Sequence, residues 1–298
     1  SVTGSCIGGT RPRQGGDFYG YIDPDGSGLH TSADFAGDDL SHVRAYGATT
    51  NVKWDLGGAT LNSITHYVHS YKLLRIDADA SPTPVAIITP GPTTTDSFTQ
   101  ELRLSGDSGP LTWVTGLYYL YNKVDYNLTF SFGPTAPTTL LFVPGQVPTD
   151  GISPALFETK SYSAFGQMEY ELSDALTVVG GLRIIHDTQR YDYSAYTALN
   201  TNDLVVDFDQ FLFPSRPDYS DRRKKTLWTG KLQLNYEPTS DVLLYVGVNR
   251  GTKAGSYNAQ AVDGNPTLTP AQIAFGPETL LAYEGGIKAT LARGFIVN

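Results

Sequence analysis

The chain has 298 residues and a formal net charge of −9, and it contains 31 glycines, 18 prolines and one cysteine, Cys6. This composition has too much glycine and proline for a mainly helical protein, and one cysteine excludes an intrachain disulfide and a CxxC metal site. An acidic chain is a poor candidate for nucleic acid binding. Its longest nearly unbroken apolar run, 242–248, is too short for a transmembrane helix.

Alternation of polar and apolar residues begins at the first predicted strand, 42–54, and recurs along the chain. That strand places Tyr46, Val52 and Trp54 opposite Asn51 and Lys53. The same pattern predicts nine or ten strands in total. In chain order these are 42–54, 59–74, 97–105, 111–126, 159–172, 176–190, 223–237, 241–253, 280–291 and a start at 295.

The clearest alternation lies in residues 161–172, with the sequence SYSAFGQMEYEL. Tyr162, Ala164, Met168 and Leu172 share one face, and the opposite face is mostly polar. In 111–121 and 242–249 both sets of alternate positions hold apolar residues, so the sequence assigns no face there. A wall with one apolar and one polar side is typical of a sheet between two different solvents.

The connections between these strands alternate in length. Short turns follow Trp54, Leu104, Leu172 and Tyr236, and a fifth is predicted at 292–294. Long polar stretches without a helical period occupy 76–96, 127–158, 191–221 and 254–278, and residues 1–40 read as a further outer loop. A compact soluble domain rarely carries so many long loops, whereas a barrel of the bacterial outer membrane has short periplasmic turns and long outer loops.

The predicted fold is therefore all-β, an antiparallel up-and-down transmembrane β-barrel. A closed barrel satisfies all its backbone hydrogen bonds within the sheet, which lipid requires. Aromatic residues near strand ends suit the girdles at the two membrane interfaces; they are Trp54, Tyr170, Trp228 and Tyr236.

Several segments resemble the barrel domain of TonB-dependent outer-membrane receptors. They are FTQELRLSG (98–106) with LTWVTGLYYLY (111–121), SAFGQMEYEL (163–172) with LTVVGGLR (176–183), DVLLYVGVNRGTKAGSYN (241–258) and FGPETLLAYEGGIK (275–288). The four segments occur in the expected order, and the resemblance covers nearly the whole chain from about Asp17 onward.

The resemblance implies a 22-stranded barrel with an N-terminal plug domain and a TonB-contacting box, of which residues 1–298 form a part of the wall without plug or box. It also implies energy-coupled uptake of a large scarce solute, an iron–siderophore complex above all, by an integral protein of the bacterial outer membrane. The implied partners are outer-membrane lipid and lipopolysaccharide, the plug domain and the TonB complex. The resemblance implies neither catalysis nor a cofactor.

Two groups of residues are candidates for a solute path. Polar wall residues expected to face the lumen and contact a plug are Glu101, Arg103, Glu169, Arg183 and Lys231. Aromatic and basic residues expected in outer loops, where they offer contact area and charge-assisted bonds to an iron chelate, are Tyr191, Tyr193, Tyr196, Arg216, Tyr219, Arg222 and Arg223. Ordinary lumen solvation and contact with lipopolysaccharide are the competing interpretations of these two groups.

A calcium-loop spacing occurs near the start of the chain, with oxygen ligands at Asp23, Asp25, Ser27, Thr31 and Asp34. Pro24 and the replacement of the usual Glu by Asp34 weaken it, so an Asp/Gly surface turn is the preferred interpretation and no metal site is predicted.

Two other functions stay open at this point. One is a passive outer-membrane channel. The other is a ten-stranded barrel protease that would use Asp77, Asp79, His186 and Asp187. The adjacency of His186 and Asp187 argues against the protease, because successive strand residues point to opposite faces.

Overall fold

The computed structural model describes residues 41–74, 76–77, 86–132, 149–199, 213–214, 218–258, 270–292 and 295–297. The elements are β1 (Ser41–Asp55), β2 (Thr60–Leu74), β3 (Ile76–Asp77), β4 (Ala86–Pro90), β5 (Thr93–Ser108), β6 (Leu111–Phe132), β7 (Thr149–Ser173), β8 (Leu176–Tyr193), β9 (Tyr196–Leu199), β10 (Phe213–Pro214), β11 (Tyr219–Thr239), β12 (Val242–Lys253), β13 (Ser256–Tyr257), α1 (Pro270–Ile273), β14 (Ala274–Phe275), β15 (Glu278–Ala292) and β16 (Phe295–Val297).

The main sheet is an antiparallel meander in which each long strand pairs with the next along the chain. Its order is β1-β2-β5-β6-β7-β8-β11-β12-β15-β16, and β13 and β14 form a separate two-stranded sheet. All ten predicted strands are present, which confirms the up-and-down, all-β architecture. Among the described residues, β1 pairs only with β2 and β16 only with β15, so the sheet has two open edges.

Five strands run three or more residues further than the alternation predicted. β5 starts at Thr93, β6 continues to Phe132, β7 starts at Thr149, β8 ends at Tyr193 and β11 starts at Tyr219, all inside stretches expected as loops. The difference has a physical cause: beyond the apolar belt both faces of a strand meet polar surroundings, so the period-2 signal fades while backbone pairing continues.

The short connections close as tight turns. Leu56 donates its backbone N–H to Ala59 O at 2.8 Å, and the Asp55 carboxylate accepts from the Gly57 N–H at 2.8 Å. Gly57 has a φ of 87° and Gly109 a φ of 57°, which are left-handed conformations that favour glycine.

Register fixes which residues share a face of the sheet. One row across six strands contains Trp54, Leu61, Leu104, Thr115, Gly166 and Leu182. On this outer face Leu182 and Ile184 are about half exposed, whereas Ser163 and Asp187 on the inner face are 7% and 9% exposed. The sheet therefore curls with its polar face inward.

Aromatic pairs on the outer face mark the height of the apolar belt. Four strands each carry two aromatic residues spaced eight residues apart; these are Tyr46 and Trp54, Trp113 and Tyr121, Tyr162 and Tyr170, and Trp228 and Tyr236. Eight residues of a strand tilted by about 40° rise roughly 21 Å, close to the apolar band of about 25 Å in such barrels. The spacing is the one expected of two interfacial girdles.

No helix in the described part of the chain has the length and apolar character needed to cross a membrane.

Candidate functional site

The five polar wall residues predicted to face the lumen all lie on the inner face. The strand register gives the cross-strand partners of four residues on this face. Arg103 pairs with Gly116, Arg183 with Phe165, Lys231 with Gly181 and Glu169 with Val179. Glu101 and Arg103 form an ion pair on β5. Their contact with a plug stays a prediction.

Arg183 occupies a specific place in this wall. Its guanidinium lies 5.1 Å from the ring centre of Tyr118 and 5.8 Å from that of Phe165, a cation–π arrangement on both sides. The Nε of Arg183, the Ser163 hydroxyl and the Asp187 Oδ1 are buried without a hydrogen-bond partner among the described residues. Such groups are costly unless a further partner satisfies them.

An aromatic cluster covers the inner face above this wall, at the end opposite the short turns. Its members come from five elements, and Tyr191 is at its centre. The Tyr191 ring stacks on Tyr257 with centres 4.9 Å apart and an interplanar angle of 19°. We define the aromatic cluster as Tyr126, Phe157, Tyr191, Tyr193, Tyr219 and Tyr257.

The cluster is buried because a segment of chain folds back over it. We call this segment the inner strap and define it as residues 254–258 and 270–275. Gln189 donates to Gly255 O at 2.8 Å, and Arg223 donates to Ser256 O at 3.2 Å and to Phe275 O at 2.7 Å. Asn258 N–H bonds to Ile273 O at 2.8 Å, and Ile273 is 1% exposed. Both Gln189 and Arg223 come from the inner face of their strands.

Close approach of the strap to itself requires a glycine at position 255. A Cβ there would lie 2.3 Å from Phe275 O and 2.9 Å from Gly276 C. Both atoms belong to the backbone, so neither can move aside cheaply.

The electrostatics of the cluster are set by desolvation and by the charged side chains of Arg223 and Asp221. Arg223 lies 5.7 Å from the ring centre of Tyr257. Burial raises the pKa of the Tyr257 phenol well above its usual value, and the Asp221 carboxylate adds to the rise. The hydroxyls of Tyr219 and Tyr257 are buried without a hydrogen-bond partner in the part of the chain that the structure describes.

The structure divides the predicted outer-loop set. Tyr191, Tyr193, Tyr219 and Arg223 come together on the inner face, and the three tyrosines lie on strands rather than in loops. Arg222 points to the outer face.

Two further members of that set lie elsewhere. Tyr196 is on β9, paired with Ile152 of β7. Arg216 lies outside the described residues.

Sequence reasoning missed Tyr126, Phe157, Gln189 and Tyr257. Counting alternate positions outward from Phe165 and Arg183 would have placed Phe157 and Gln189 on the inner face. Nothing in the sequence indicates that Tyr257 returns to this wall.

The remaining candidates do not form a second site here. The calcium-loop residues 23–34 lie outside the described residues, and those that are described include no group of three His, Cys, Asp or Glu suited to a metal. His186 points outward, with Nδ1 3.0 Å from the Thr226 hydroxyl, while Asp187 points inward. A protease pair of these two residues is therefore not assembled.

Comparison with known proteins gives one family and several related folds. The family model described as TonB dependent receptor-like, beta-barrel matches residues 7–297. No curated protein matches the chain in sequence. Three solved structures are similar in fold: the ferric yersiniabactin uptake receptor FyuA from Yersinia pestis (20% identity, TM-score 0.62), the siderophore receptor PiuA from Acinetobacter baumannii (16%, 0.58) and the closed form of the ferric-catecholate import receptor Fiu from K12 E. coli (12%, 0.52).

These matches cover 85%, 85% and 88% of this chain but only 34%, 38% and 43% of the three receptors. The chain thus spans less than half the length of each. At such low identities the likeness establishes the fold alone.

Proposed function

This chain belongs to the TonB-dependent receptor β-barrel family, whose members are integral to the outer membrane. We therefore propose that it forms part of the barrel wall of a receptor for energy-coupled uptake. The proposed solute is an iron–siderophore complex or a similarly large chelate. The related structures are named for ferric yersiniabactin, a siderophore and ferric catecholate, and those ligands are theirs. The proposal for this chain depends on its own inner wall.

The observation that carries the proposal is the aromatic cluster with Arg223 at the outer mouth of the lumen. A guanidinium supplies charge-assisted bonds to the anionic oxygens that iron chelates carry. Arg223 is half-buried and holds the strap on the wall through its bonds to Ser256 O and Phe275 O. The proposed solute-facing surface is the strap together with Arg223, and the buried aromatic cluster supports the strap from below.

The middle of the inner wall supports a second part of the proposal, contact with a plug domain. Arg183 Nε and the Ser163 hydroxyl are buried and unsatisfied among the described residues, and the carboxylate of Glu169 lies on the same face. A polar domain in the lumen would contact the half-buried Arg183 side chain and the exposed Glu169 carboxylate of this face. TonB is then the proposed energy-coupling partner, acting through that domain.

The test uses the complete receptor produced from its own coding sequence in a host that lacks other siderophore receptors. We expect uptake of radioactive iron from at least one of a hydroxamate, a catecholate and a phenolate complex, in TonB-containing cells only. Arg223→Ala should lower affinity for the transported complex about tenfold or more, since a charge-assisted bond contributes roughly 1.5–3 kcal/mol. Lys224→Ala, which removes the neighbouring cation on the outer face of the same strand, is the matched control for binding.

Equal uptake with and without TonB, together with steady conductance in planar bilayers, would contradict this proposal and establish a passive channel. Unchanged affinity in Arg223→Ala would leave transport standing but remove the outer mouth as the binding site.

A further inference from the structure

Tyr257 of the inner strap fills a slot whose walls belong to the main sheet. Its ring stacks on Tyr191 of β8, with centres 4.9 Å apart and an interplanar angle of 19°. It also makes a T-shaped contact with Phe157 of β7 at 6.0 Å, and the Arg223 guanidinium of β11 lies 5.7 Å from its centre. We call the space between Tyr191, Phe157 and Arg223 the aryl slot. Two rings and a cation are walls that suit any aromatic ring of this size.

The walls of the aryl slot are positioned by the sheet and not by the strap. Phe157 is directly opposite Tyr191 in the β7–β8 register, and Tyr191 is directly opposite Asp221 in the β8–β11 register. The Tyr126 hydroxyl of β6, 3.1 Å from the Tyr191 hydroxyl, fixes the same ring from a further strand. The slot is therefore preorganised for a ring, which lowers the cost of binding one.

The occupant of the slot is held by weaker means than its walls. Gln189 and Arg223 donate side-chain hydrogen bonds to three backbone oxygens of the strap. The strands within the strap, β13 and β14, pair over two residues each. A short segment of this kind opens at a lower free energy than a long paired strand. The strap can therefore leave the wall while β7, β8 and β11 stay paired.

The docked strap leaves buried polar groups without hydrogen bonds. The hydroxyls of Tyr219 and Tyr257 and the Oδ1 of Asp187 have no hydrogen-bond partner among the described residues, and each of these residues is 9% exposed. Asp187 lines a small cavity together with Ala254 and Gly255 of the strap. Hydration of such groups on opening offsets part of the packing that is lost. A ligand that supplies equivalent packing can therefore displace the strap.

Charge determines how a ring from another molecule would enter the slot. The Asp221 carboxylate and the Arg223 guanidinium both interact with the Tyr257 phenol, with opposite signs. An anionic oxygen is favoured beside the guanidinium and disfavoured beside the carboxylate. A chelate whose ring entered the slot would therefore direct its iron-bound oxygens toward Arg223.

We propose that the aryl slot is a subsite for one aromatic ring of the transported chelate, and that Tyr257 occupies it as an internal competitor until the chelate displaces the strap. Displacement also frees Arg223 from the backbone oxygens of Ser256 and Phe275, so that its guanidinium bonds to the chelate instead. The inference rests on the function proposed above and adds a substrate class. That class is catecholate or phenolate complexes of iron, in preference to hydroxamate complexes without an aromatic ring.

Binding of three iron complexes to the purified complete receptor tests the substrate class. Ferric enterobactin carries catecholate rings, ferric pyochelin carries a phenolate ring, and ferrichrome is a hydroxamate complex without an aromatic ring. We expect the tighter of the two aryl complexes to bind at least about tenfold more tightly than ferrichrome. A smaller difference, or the reverse order, would overturn the inference and leave the proposed function standing. Binding of none of the three would overturn both.

Two substitutions at position 257 separate the ring from the rest of the strap. Tyr257→Ala removes the competitor and should strengthen binding of the aryl complex about three- to tenfold, the contribution of one aromatic pair. Binding of ferrichrome should change by less than about twofold, because it brings no ring to the slot. The matched control Tyr257→Phe keeps the ring and should stay within about twofold of the parent for both complexes. Circular dichroism of each variant verifies that the barrel is folded.

Two results with these variants would overturn the role of Tyr257 as a competitor. One is unchanged or weaker binding of the aryl complex by Tyr257→Ala, which would make Tyr257 part of the binding surface. The other is equal strengthening for ferrichrome, which would make the strap a general cover without a subsite for a ring.

Amide hydrogen exchange in the unsubstituted receptor tests displacement of the strap directly. Saturation with the tighter aryl complex should accelerate exchange in residues 254–258 about threefold or more, because the bound ring replaces Tyr257 and the strap leaves the wall. Exchange in residues 176–190 of β8 is the control and should stay unchanged, since the wall remains paired. Unchanged or slower exchange in 254–258 would mean that the chelate lies on the docked strap, and would overturn the proposal.

Discussion

At the scale of single residues, parity along a strand decides which solvent a side chain meets. Arg222 and Arg223 are neighbours in sequence, yet one faces the membrane side and the other holds the strap in the lumen. The same separation applies to Lys224 and Lys225. Sequence reasoning grouped Arg222 with Arg223 because the alternation fades in this part of β11, although the backbone period of two continues.

Gly255 provides a residue-scale prediction. Gly255→Ala places a methyl group against Phe275 O, and overpacking of this kind costs about 1–3 kcal/mol. We expect exchange of the Asn258 amide hydrogen, bonded to Ile273 O, to accelerate roughly 5- to 140-fold. Gly251→Ala is the control, because its nearest neighbour is the Leu280 Cβ at 4.0 Å. Equal exchange in both variants would contradict the close-approach argument.

A second residue-scale prediction compares two neighbours on β11. Leu232, 56% exposed, is midway between Trp228 and Tyr236 on the outer face, whereas Gln233 is on the inner face. Leu232→Arg should destabilise the complete receptor in lipid vesicles by roughly 2–4 kcal/mol, the cost of a cation at the bilayer midplane. Gln233→Arg should change stability by about 0.5 kcal/mol or less. Denaturant unfolding measures both, and the reverse ranking would invert the assignment of faces.

At the scale of elements, docking of the inner strap buries the Tyr257 phenol, and burial favours its neutral form. Its pKa is raised in the docked strap, while a solvated tyrosine has a pKa near 10. A group whose pKa is raised by docking stabilises the docked state fully at pH values below its pKa in the undocked state. This stabilisation is lost as the pH rises above the undocked pKa. The strap should therefore stay docked to about pH 10 and weaken above that value.

The difference in tyrosinate absorbance between the parent receptor and Tyr257→Phe isolates this titration. Its midpoint should lie well above pH 10 in the parent background. In the Gly255→Ala background, where the strap is displaced, the midpoint should fall toward 10. A midpoint near 10 in both backgrounds would show that Tyr257 is solvated, and would remove the strap as a cover of the aromatic cluster.

At the scale of the whole molecule, the main sheet has two edges that are unpaired among the described residues, β1 and β16. These edges determine how the chain behaves when it is produced alone. Unpaired strand edges expose backbone N–H and C=O groups, which lipid cannot satisfy. The 298-residue chain produced alone in detergent should therefore self-associate into species of several sizes. Sedimentation velocity measures this, and a monodisperse monomer with native strand content would contradict the prediction. The complete receptor, with its edges paired, is the control and should sediment as one species.

The sequence by itself determined the wall. Alternation in segments such as 161–172, together with short turns and long polar stretches, predicted the meander and its two solvents, because a period of two is a local property of the strand. The same local property assigns Glu101, Arg103, Glu169, Arg183 and Lys231 to one face of the sheet, and their contact with a plug stays a prediction.

Only the tertiary structure decided what lies against that wall. In β6 and β12 both faces carry apolar residues, so only the pairing register assigned them. Tyr257 meets Tyr191, 66 positions earlier in the sequence, because the chain after β12 folds back onto β8 and β11. Such contacts depend on strand register and on loop return, and neither is written in the local pattern of any one segment.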